Sequence, residues 1–296
     1  MVLVVGATGL VGGEVCHRLR SRGERVRGLV RETSSAERID SLRSAGVELI
    51  IGDLKDPVSM ERACKGVGAV ISTASSTLSR QAGDSIESVD DAGQMNLVLA
   101  AKKAGVNQFV FVSFRPVPGV PSPLSEAKSR VEGAISDLNF TVIRASWFME
   151  VWLSAALGFD FVNGAARILG SGTAPVSWVS YKDVAEMCVL AFANPAASRK
   201  IIEFGGPEPL SALEVVARFE AISGRSFALE YVPEEVLRAQ YDSASDSMNK
   251  SFGALMLGCA QGDEIDMGPV VQTFGLPLTS VDEYARAVLG VSSRVW

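Results

Sequence analysis

Short apolar runs alternate with amphipathic stretches through about the first 113 residues of this 296-residue chain. Each run is rich in β-branched residues, as in strands, and each following stretch repeats apolar residues at helical spacing. The pattern predicts five β/α units. Such units build a parallel sheet covered by helices on both faces, so the sequence predicts a doubly wound α/β fold.

The predicted elements are joined by short connections. We predict strands at Val2–Val5, Arg25–Val30, Val47–Ile51, Gly68–Ser72, Gln108–Ser113 and Phe140–Arg144, and helices at Leu10–Arg22, Ala36–Ala45, Val58–Lys65, Glu87–Gly105 and Ser125–Ser136. The alternation is lost after Trp147. It returns in a strand at Val176–Ser180, a helix at Val184–Ala193 and a strand at Lys200–Phe204.

Two domains are predicted from this organisation. Residues 1–146 form the sheet domain, to which residues 174–204 return because their strands have the same apolar pattern. Residues 147–173 and 205–296 form a smaller lobe. Ser211 and Glu214 have the spacing of a capping box that begins a helix in this lobe. The polar run Ser243–Ser251 is predicted to be a mobile loop.

A glycine-rich turn joins the first strand to the first helix. Its sequence is Gly6-Ala7-Thr8-Gly9-Leu10-Val11-Gly12. Glycines at this junction permit a tight turn and let the backbone approach a pyrophosphate, while the helix N-terminus supplies amides and the positive end of its dipole. The turn therefore predicts a site for a dinucleotide.

The residue after the second strand indicates which dinucleotide binds. Arg31 stands where an acidic residue would bind the ribose hydroxyls of NAD, and arginine binds a 2′-phosphate by charge-assisted hydrogen bonds. This predicts NADP(H). Arg38 either supplies a second cation or lies on a solvated helix face. Asp53, after the third strand, either accepts a hydrogen bond from the adenine amino group or stabilises a turn.

Several segments resemble the NmrA-like group of atypical short-chain dehydrogenases, which includes isoflavone reductase and phenylcoumaran benzylic ether reductase. Besides the glycine turn they are Leu29–Thr33, Gly46–Leu54, Val70–Thr73, Ala100–Val106, Thr141–Glu150 and Asp183–Ala185. The likeness fades beyond about residue 225. The resemblance implies a Rossmann domain with a small C-terminal substrate lobe. It places cofactor contacts at Leu54, Ser72, Thr73 and Ala74.

The catalytic position departs from the usual short-chain dehydrogenase pattern of Tyr-x-x-x-Lys. Leu124 replaces the tyrosine and Lys128 retains the lysine. The reductases named above also lack this tyrosine, and their lysine serves as the acid/base group, so the resemblance implies a catalytic Lys128. The alternatives are ribose binding without chemistry or a solvated helix lysine. Ser113, at the end of the fifth strand, is either a cofactor-binding group in the crevice or a turn residue.

Aromatic residues mark a candidate substrate site after the sixth strand. Trp147, Phe148 and Trp152 either line a pocket for a flat aromatic or quinone-like molecule or form core between the lobes. Phe114 opens a proline-rich segment, through Pro123, that departs from the family pattern. We expect this segment to form a stiff wall over the nicotinamide site, so the family's substrates cannot be transferred to this chain.

Composition excludes several other classes of function. The single histidine, His17, makes a Ser-His-Asp triad, a Cys-His pair or a His-rich metal site improbable, and no metal is expected. A net charge of −6 without a Lys/Arg cluster argues against nucleic acid. No apolar run approaches the ~20 residues of a membrane span, and the N-terminus lacks the features of a signal peptide. The four separated cysteines are expected to be reduced core thiols of a cytoplasmic protein.

We therefore expect an NADPH-dependent reductase, a monomer or homodimer, that transfers hydride to a small aromatic, quinone-like or conjugated molecule. The alternative is a non-catalytic NAD(P)-binding redox sensor of the NmrA type, which binds a protein partner. An epimerase with tightly held NAD is disfavoured because Arg31 disfavours NAD and the tyrosine is missing.

Overall fold

The strands predicted in the first half of the chain join one sheet in the computed structural model, which describes residues 1–79 and 81–291. The strands of the protein are β1 (Val2–Val5), β2 (Val26–Val30), β3 (Glu48–Ile51), β4 (Ala69–Ser72), β5 (Gln108–Ser113), β6 (Asn139–Ala145), β7 (Phe159–Asp160), β8 (Ala165–Leu169), β9 (Pro175–Val176), β10 (Lys200–Phe204), β11 (Leu210–Ser211) and β12 (Ala228–Val232).

The large sheet has the order β10-β6-β5-β4-β1-β2-β3. All neighbouring pairs from β6 to β3 are parallel. The order reverses between β1 and β4, and ligands of such sheets bind outside the carboxyl ends of the strands at this point. The predicted doubly wound fold is confirmed.

Twelve α-helices connect or follow these strands in the described part of the chain. They are α1 (Leu10–Ser21), α2 (Ala36–Ser44), α3 (Pro57–Cys64), α4 (Ala92–Lys103), α5 (Pro123–Ala134), α6 (Met149–Trp152), α7 (Tyr181–Ala193), α8 (Ala212–Ser223), α9 (Glu234–Ser243), α10 (Ser247–Gln261), α11 (Gly268–Phe274) and α12 (Val281–Leu289). A π-helical segment, Ile86–Asp91, precedes α4, where the sequence predicts a single helix.

The described chain divides into two units. The first consists of residues 1–114, 123–144 and 184–202, and the second contains residues 115–122, residues 145–183 and the chain from Glu203 onward. Residues 115–122, 145–146, 174–183 and 203–204 thus lie in the second unit, whereas the sequence analysis assigned them to the first domain. The helix at Val184–Ala193 and most of β10 lie in the first unit, as expected for the returning segment.

The first unit is built on continuous apolar strands. All four residues of β1 and β4 are buried, because helices cover both faces of the sheet. The largest fully buried side chains on the sheet include Leu3, Phe109 and Phe111. Helix α1 buries Val11, Val15 and Leu19, the positions that its spacing predicts.

The second unit has its own core and two small sheets. Strands β7, β8 and β12 form one sheet, and β9 pairs antiparallel with β11 in the other. Its core is aromatic: the ring centroids of Phe159 and Phe219 lie 4.9 Å apart in an edge-to-face arrangement. The second unit therefore has an aromatic core of its own, whereas the sequence predicted a smaller lobe without identifying its core residues.

The predicted strand Val176–Ser180 is wrong in extent and placement. Only Pro175–Val176 pairs as a strand, and its partner is β11 rather than the large sheet. The following backbone groups are satisfied by loops instead: the Ser177 amide donates to Asp263 and the Val179 amide to Trp147. An apolar run identifies buried backbone, but it does not identify the hydrogen-bond partner.

The predicted mobile loop at Ser243–Ser251 is also wrong. The segment contains the end of α9 and the start of α10, and Asp246 accepts a hydrogen bond from the amide of Asn249 as the N-cap of α10. Ser251 is 1% exposed. The polar residues in this run include the capping residue between two helices, a use of Ser, Asp and Asn that composition alone does not distinguish from a loop.

The four cysteines are free thiols. Cys16, Cys64 and Cys188 are buried, and Cys259 is partly buried. Burial raises the pKa of Cys16 to about 12 and that of Cys64 to about 11, so both stay protonated. Over residues 1–79 and 81–291, none of the helices combines the length and apolarity needed to cross a bilayer.

The structure confirms the capping box that the sequence predicts at the start of α8, and its contribution to stability can be measured. Ser211 Oγ accepts from the Glu214 amide, and the Glu214 carboxylate accepts from the Ser211 amide. Replacing Ser211→Ala should lower the free energy of unfolding by about 1 kcal/mol, because the Glu214 amide at the helix N-terminus loses its acceptor. Urea unfolding measures this. Ser129→Ala, at an exposed position of α5, should change it by less than about 0.5 kcal/mol.

Candidate functional site

The glycine turn after β1 depends on an approach of two backbone segments that no side chain would allow. Gly6 has φ +86°, and a Cβ on Gly12 would lie 2.2 Å from the Gly6 carbonyl oxygen. The Gly9 amide donates to the same oxygen at 2.8 Å. The turn therefore places the first residues of α1 directly against the end of β1.

The N-terminus of α1 fits an anionic group. Gly9 is its N-cap, no described side chain caps it, and the first turn of the helix carries no acidic residue. The amide groups and the positive end of the helix dipole are thus available to a pyrophosphate. Of the predicted contacts here, Gly9 and Leu10 are exposed, Thr8 is half-buried, and Val11 and Gly12 are buried.

The end of β4 lies beside this turn. Thr73 donates from its amide and its hydroxyl to the Val5 carbonyl, at 2.9 and 3.1 Å. Ser72 Oγ donates to Gln94 Oε1 at 2.8 Å, and Gln94 Nε2 donates to the Ala74 carbonyl at 2.9 Å. Gln94, which the sequence analysis did not select, therefore fixes the backbone where the order of the strands reverses.

The end of β3 carries the predicted adenine contacts. Asp53 Oδ1 accepts from the Lys55 amide at 2.9 Å, which is the turn role, and its side chain remains one-third exposed. Leu54 is buried, and a Cβ on Gly93 would lie 2.9 Å from the Leu54 Cβ. Asn96 Nδ2 donates to the Leu54 carbonyl. Helix α4 therefore packs closely on the loop that presents Asp53.

Arg31 is engaged by an acidic partner that the sequence analysis missed. Its Nη1 lies 2.6 Å from Asp84 Oδ2, and Lys55 Nζ lies 2.6 Å from Asp84 Oδ1. Burial by itself would raise the pKa of Asp84, but hydrogen bonds from Lys55, Ser79 and Arg31 outweigh it and lower the pKa to about 2. The carboxylate is therefore ionised at neutral pH between two cations.

Arg38 contacts the glycine turn. Its guanidinium donates to the Thr8 carbonyl, although the residue is exposed. This contact joins α2 to the turn and holds a positive charge close to the N-terminus of α1. Both earlier interpretations, a second cation at the cofactor and a solvated helix residue, are compatible with this position.

Lys128 lies in a buried setting on α5. Its Nζ is 3.5 Å from Asp90 Oδ1 and 3.4 Å from the Val112 carbonyl, and it lies over the Phe111 ring at 4.8 Å from the centroid. The side chain is 7% exposed. The interpretation as a solvated helix lysine is therefore wrong. Leu124, at the position of the usual tyrosine, is buried one turn earlier.

Asp90 is the second acidic residue that the sequence analysis missed. Its carboxylate is fully buried, and Oδ2 accepts from the amide and hydroxyl of Ser76 at 2.9 and 2.6 Å. Oδ1 accepts no hydrogen bond from the described residues, so the ammonium of Lys128 is its counter-charge. The π-helical segment Ile86–Asp91 carries Asp90, and such turns are frequent at functional sites.

A signal for Asp90 and Gln94 exists in the sequence. Both fall on the buried stripe of the helical segment, at spacings of four residues from Ile86, and Leu97 continues that stripe. A polar residue on an apolar stripe requires a buried partner. Asp84 carries no comparable signal, because it lies in the loop after β4 and its partners are distant in sequence.

Ser113 is the last residue of β5 in the first unit, and Phe114 follows it. Ser113 is buried, and its Oγ donates to Glu132 Oε1 at 2.6 Å. Arg144 Nη2 pairs with the same carboxylate at 2.6 Å. The hydroxyl thus belongs to a polar network on α5 and β6, and cofactor binding by Ser113 stays a prediction. Phe114 is partly buried.

The proline-rich segment that follows is anchored in the second unit. Arg115 binds Asp263 at 2.7 Å and also pairs with Glu203. Val117 and Val120 join an apolar cluster formed by α9 and α10. The segment is therefore part of the core of that unit. Its role as a wall over the nicotinamide stays a prediction.

The aromatic residues after β6 have different surroundings within the second unit. Trp147 is 7% exposed and packs edge-on against Trp152 at 6.2 Å between ring centroids. Trp152 lines a small cavity together with Trp178 and Cys259. Phe148 is partly buried at the start of α6 and is not one of the residues lining that cavity. Only Trp152 of the three therefore has the surroundings of a pocket residue.

Comparison with known proteins places these features in a family context. The model of the NmrA-like family matches residues 1–285. Ycf39, a photosystem II assembly factor of Synechocystis, is 29% identical, with 98% of this chain and 90% of that protein covered. The NAD(P)H azoreductase of Xenophilus azovorans is 29% identical, with 97% of each covered. Proteins described as isoflavone reductase and phenylcoumaran benzylic ether reductase homologues are also similar.

The fold is shared with solved reductase structures. The triphenylmethane reductase of Citrobacter sp., complexed with NADP(H), superimposes with a TM-score of 0.78 at 20% identity and covers 97% of this chain and 99% of that one. The predicted resemblance is confirmed. At this identity the structural match supports the fold, and the chemistry has to be argued from the residues above.

The close contact between Gly6 and Gly12 predicts that adding one methyl group at Gly12 strongly destabilises the fold. Gly12→Ala should lower the free energy of unfolding by more than about 2 kcal/mol and abolish detectable dinucleotide binding, because α1 must move away from the turn. Thermal unfolding and NADPH titration measure both effects. Gly133→Ala, in α5 with open space at its Cβ, should be neutral or stabilise by about 0.5–1 kcal/mol.

The Asp84 carboxylate predicts a pH-dependent contribution to stability. Its folded pKa of about 2 lies below the value near 4 expected in the unfolded chain. The contribution is therefore complete above pH ~4 and is lost as pH falls toward ~2. Urea unfolding of the wild type and of Asp84→Asn should give a free-energy difference that is constant at neutral pH and shrinks below pH ~4. A difference that stays constant down to pH ~2.5 would contradict this assignment.

Proposed function

Because the chain belongs to the NmrA-like family, we propose that it is an NADPH-dependent reductase of a small aromatic, quinone-like or conjugated molecule. The observation that carries the proposal is the buried Lys128 ammonium beside the fully buried Asp90, in the same unit as the glycine turn. A structural protein has little use for a buried lysine with its closest polar contacts at 3.4–3.5 Å. Such a group is typical of a catalytic site.

In this proposal the glycine turn and the N-terminus of α1 bind the pyrophosphate, and Asp53 and Arg31 face the adenosine end. Bound NADPH supplies a hydride from its nicotinamide ring. We assign substrate binding to the second unit, in which Trp152 lines a small cavity. The absence of side chains at Gly6 and Gly12 lets the backbone reach the phosphates.

Lys128 provides the proton that the reduction consumes. A carbonyl, quinone or conjugated acceptor that takes up hydride at one atom gains a negative charge at another, such as the carbonyl oxygen, and Lys128 Nζ donates a proton to the atom that bears this charge. The amine then regains its proton from water. Asp90 holds the ammonium in place through its Oδ1, while Ser76 fixes the carboxylate through Oδ2. This division of roles requires no tyrosine at position 124.

The names of two similar proteins support the class of substrate. The azoreductase and the triphenylmethane reductase are named for extended conjugated dyes. We therefore propose a conjugated aromatic acceptor over a simple aliphatic ketone.

A second function is favoured by one observation. The Ycf39 relative is an assembly factor that matches 98% of this chain. The alternative is therefore an NAD(P)-binding protein that docks on a partner without turning over a substrate. An enzyme should oxidise NADPH with a quinone, an azo dye or an enone, and the absorbance at 340 nm should fall in proportion to enzyme. A protein that binds both redox forms of the cofactor, oxidises NADPH with none of these acceptors and captures a partner would support the alternative.

Lys128→Met tests the proton donor. The substitution should leave the dissociation constant for NADPH within about threefold and lower turnover of the identified acceptor at least about a hundredfold, because the proton must come from water. Lys103→Met, an exposed lysine paired with Glu61, is the matched control and should keep the wild-type rate. A Lys128→Met protein that turns over at the wild-type rate with normal NADPH binding would remove Lys128 from the mechanism.

A further inference from the structure

Asp84 lies between two cations, Lys55 and Arg31, of which Arg31 is the residue predicted to bind the 2′-phosphate. One of its oxygens pairs with Arg31 at 2.6 Å and the other with Lys55 at 2.6 Å. The Asp84 side chain is only 3% exposed, whereas those of Arg31 and Lys55 are each 31% exposed. The carboxylate therefore lies beneath the cations, and both keep part of their surface open to solvent.

The pairs join three loops that follow the carboxyl ends of strands in the large sheet. Arg31 follows β2, Lys55 follows β3, and Asp84 lies after β4. Thr33 also donates to Gln81 across the same loops. The contacts all lie within the first unit, at the edge where the cradle for the dinucleotide is built.

The charges of this cluster are balanced. Lys55 Nζ lies 3.6 Å from Asp53 Oδ2 in addition to its contact with Asp84. Two positive groups, Arg31 and Lys55, thus face two carboxylates. An arginine without such a partner would favour a 2′-phosphate over a ribose hydroxyl through charge-assisted hydrogen bonds. Here one N–H of Arg31 is already used, and the neighbouring carboxylate repels an incoming phosphate.

We propose that Asp84 sets the cofactor specificity of this chain by opposing the 2′-phosphate at Arg31, so that NADH binds nearly as well as NADPH. The inference rests on the proposed function, since it concerns the same dinucleotide. Arg31, the residue after β2, would by itself favour NADP(H). The inference adds Asp84, from the loop after β4, as a second residue that determines the specificity. Because the pKa of Asp84 is low, its carboxylate stays charged at neutral pH and continues to repel a phosphate.

The competing interpretation is that Asp84 braces Arg31 in the orientation that binds phosphate. The two interpretations predict opposite signs. Loss of the Asp84 charge strengthens binding of the 2′-phosphate if the carboxylate opposes it, and weakens that binding if the carboxylate holds Arg31 in place. A nearly isosteric substitution that removes only the charge separates them.

The experiment measures dissociation constants by titration calorimetry. The full wild-type chain and the Asp84→Asn variant are each titrated with NADPH, NADH, adenosine 2′,5′-bisphosphate and 5′-AMP. The wild type should bind NADPH no more than about tenfold tighter than NADH. Asp84→Asn should bind NADPH and the bisphosphate about five- to tenfold tighter, and should bind NADH and 5′-AMP within about twofold of the wild type. Asp137→Asn, which removes an exposed carboxylate paired with Lys102, should change none of these constants.

Thermal unfolding shows whether each variant is folded. If Asp84→Asn does not fold, Asp84→Ser is tested in its place. Weaker or unchanged NADPH binding by the folded variant, or a wild type that binds NADPH a hundredfold tighter than NADH, overturns the inference and leaves the proposed reductase intact. Failure of the wild type to bind either dinucleotide overturns the proposed function, and the inference with it.

Discussion

The first unit depends on one close approach, that of the α1 backbone to the turn after β1. Gly12 packs against the Gly6 carbonyl at a distance that excludes any Cβ, and Thr73 at the end of β4 bonds to the Val5 carbonyl beside it. The approach brings a helix N-terminus, the point of strand reversal and the loop after β4 together. The loops after β2 and β3 follow strands of the same sheet, and the pair Asp90–Lys128 lies on helical segments of the same unit.

The strands of the large sheet could be predicted from the sequence to within one residue at each end, because the inner strands, such as β1 and β4, are apolar and buried on both faces. β1 and β5 have the predicted bounds, and the capping box at Ser211 begins α8 as expected. Such features are local. The run at Val176–Ser180 shows the limit: its apolar residues are buried, yet its backbone bonds to Asp263 and Trp147, which no periodicity reveals.

The candidate site was predictable in its glycines and its lysine but not in its carboxylates. Gly6 and Lys128 occur in sequence patterns of fixed spacing, whereas Asp84 acts on Arg31 from 53 positions away. The π-helical segment that carries Asp90 is invisible to a helical pattern. Ion pairs between loops depend on the tertiary fold, so they can be identified only once the arrangement of the strands is known.

The assignment of the chain to two units has a consequence for its genetic architecture. The backbone passes from one unit to the other five times, at 114/115, 122/123, 144/145, 183/184 and 202/203. Neither unit is therefore a contiguous stretch of the gene, and no single truncation yields one without the other. A recombination event cannot exchange the second unit as a cassette. Diversification of the surface in that unit has to proceed by point substitution and by short insertions in its loops.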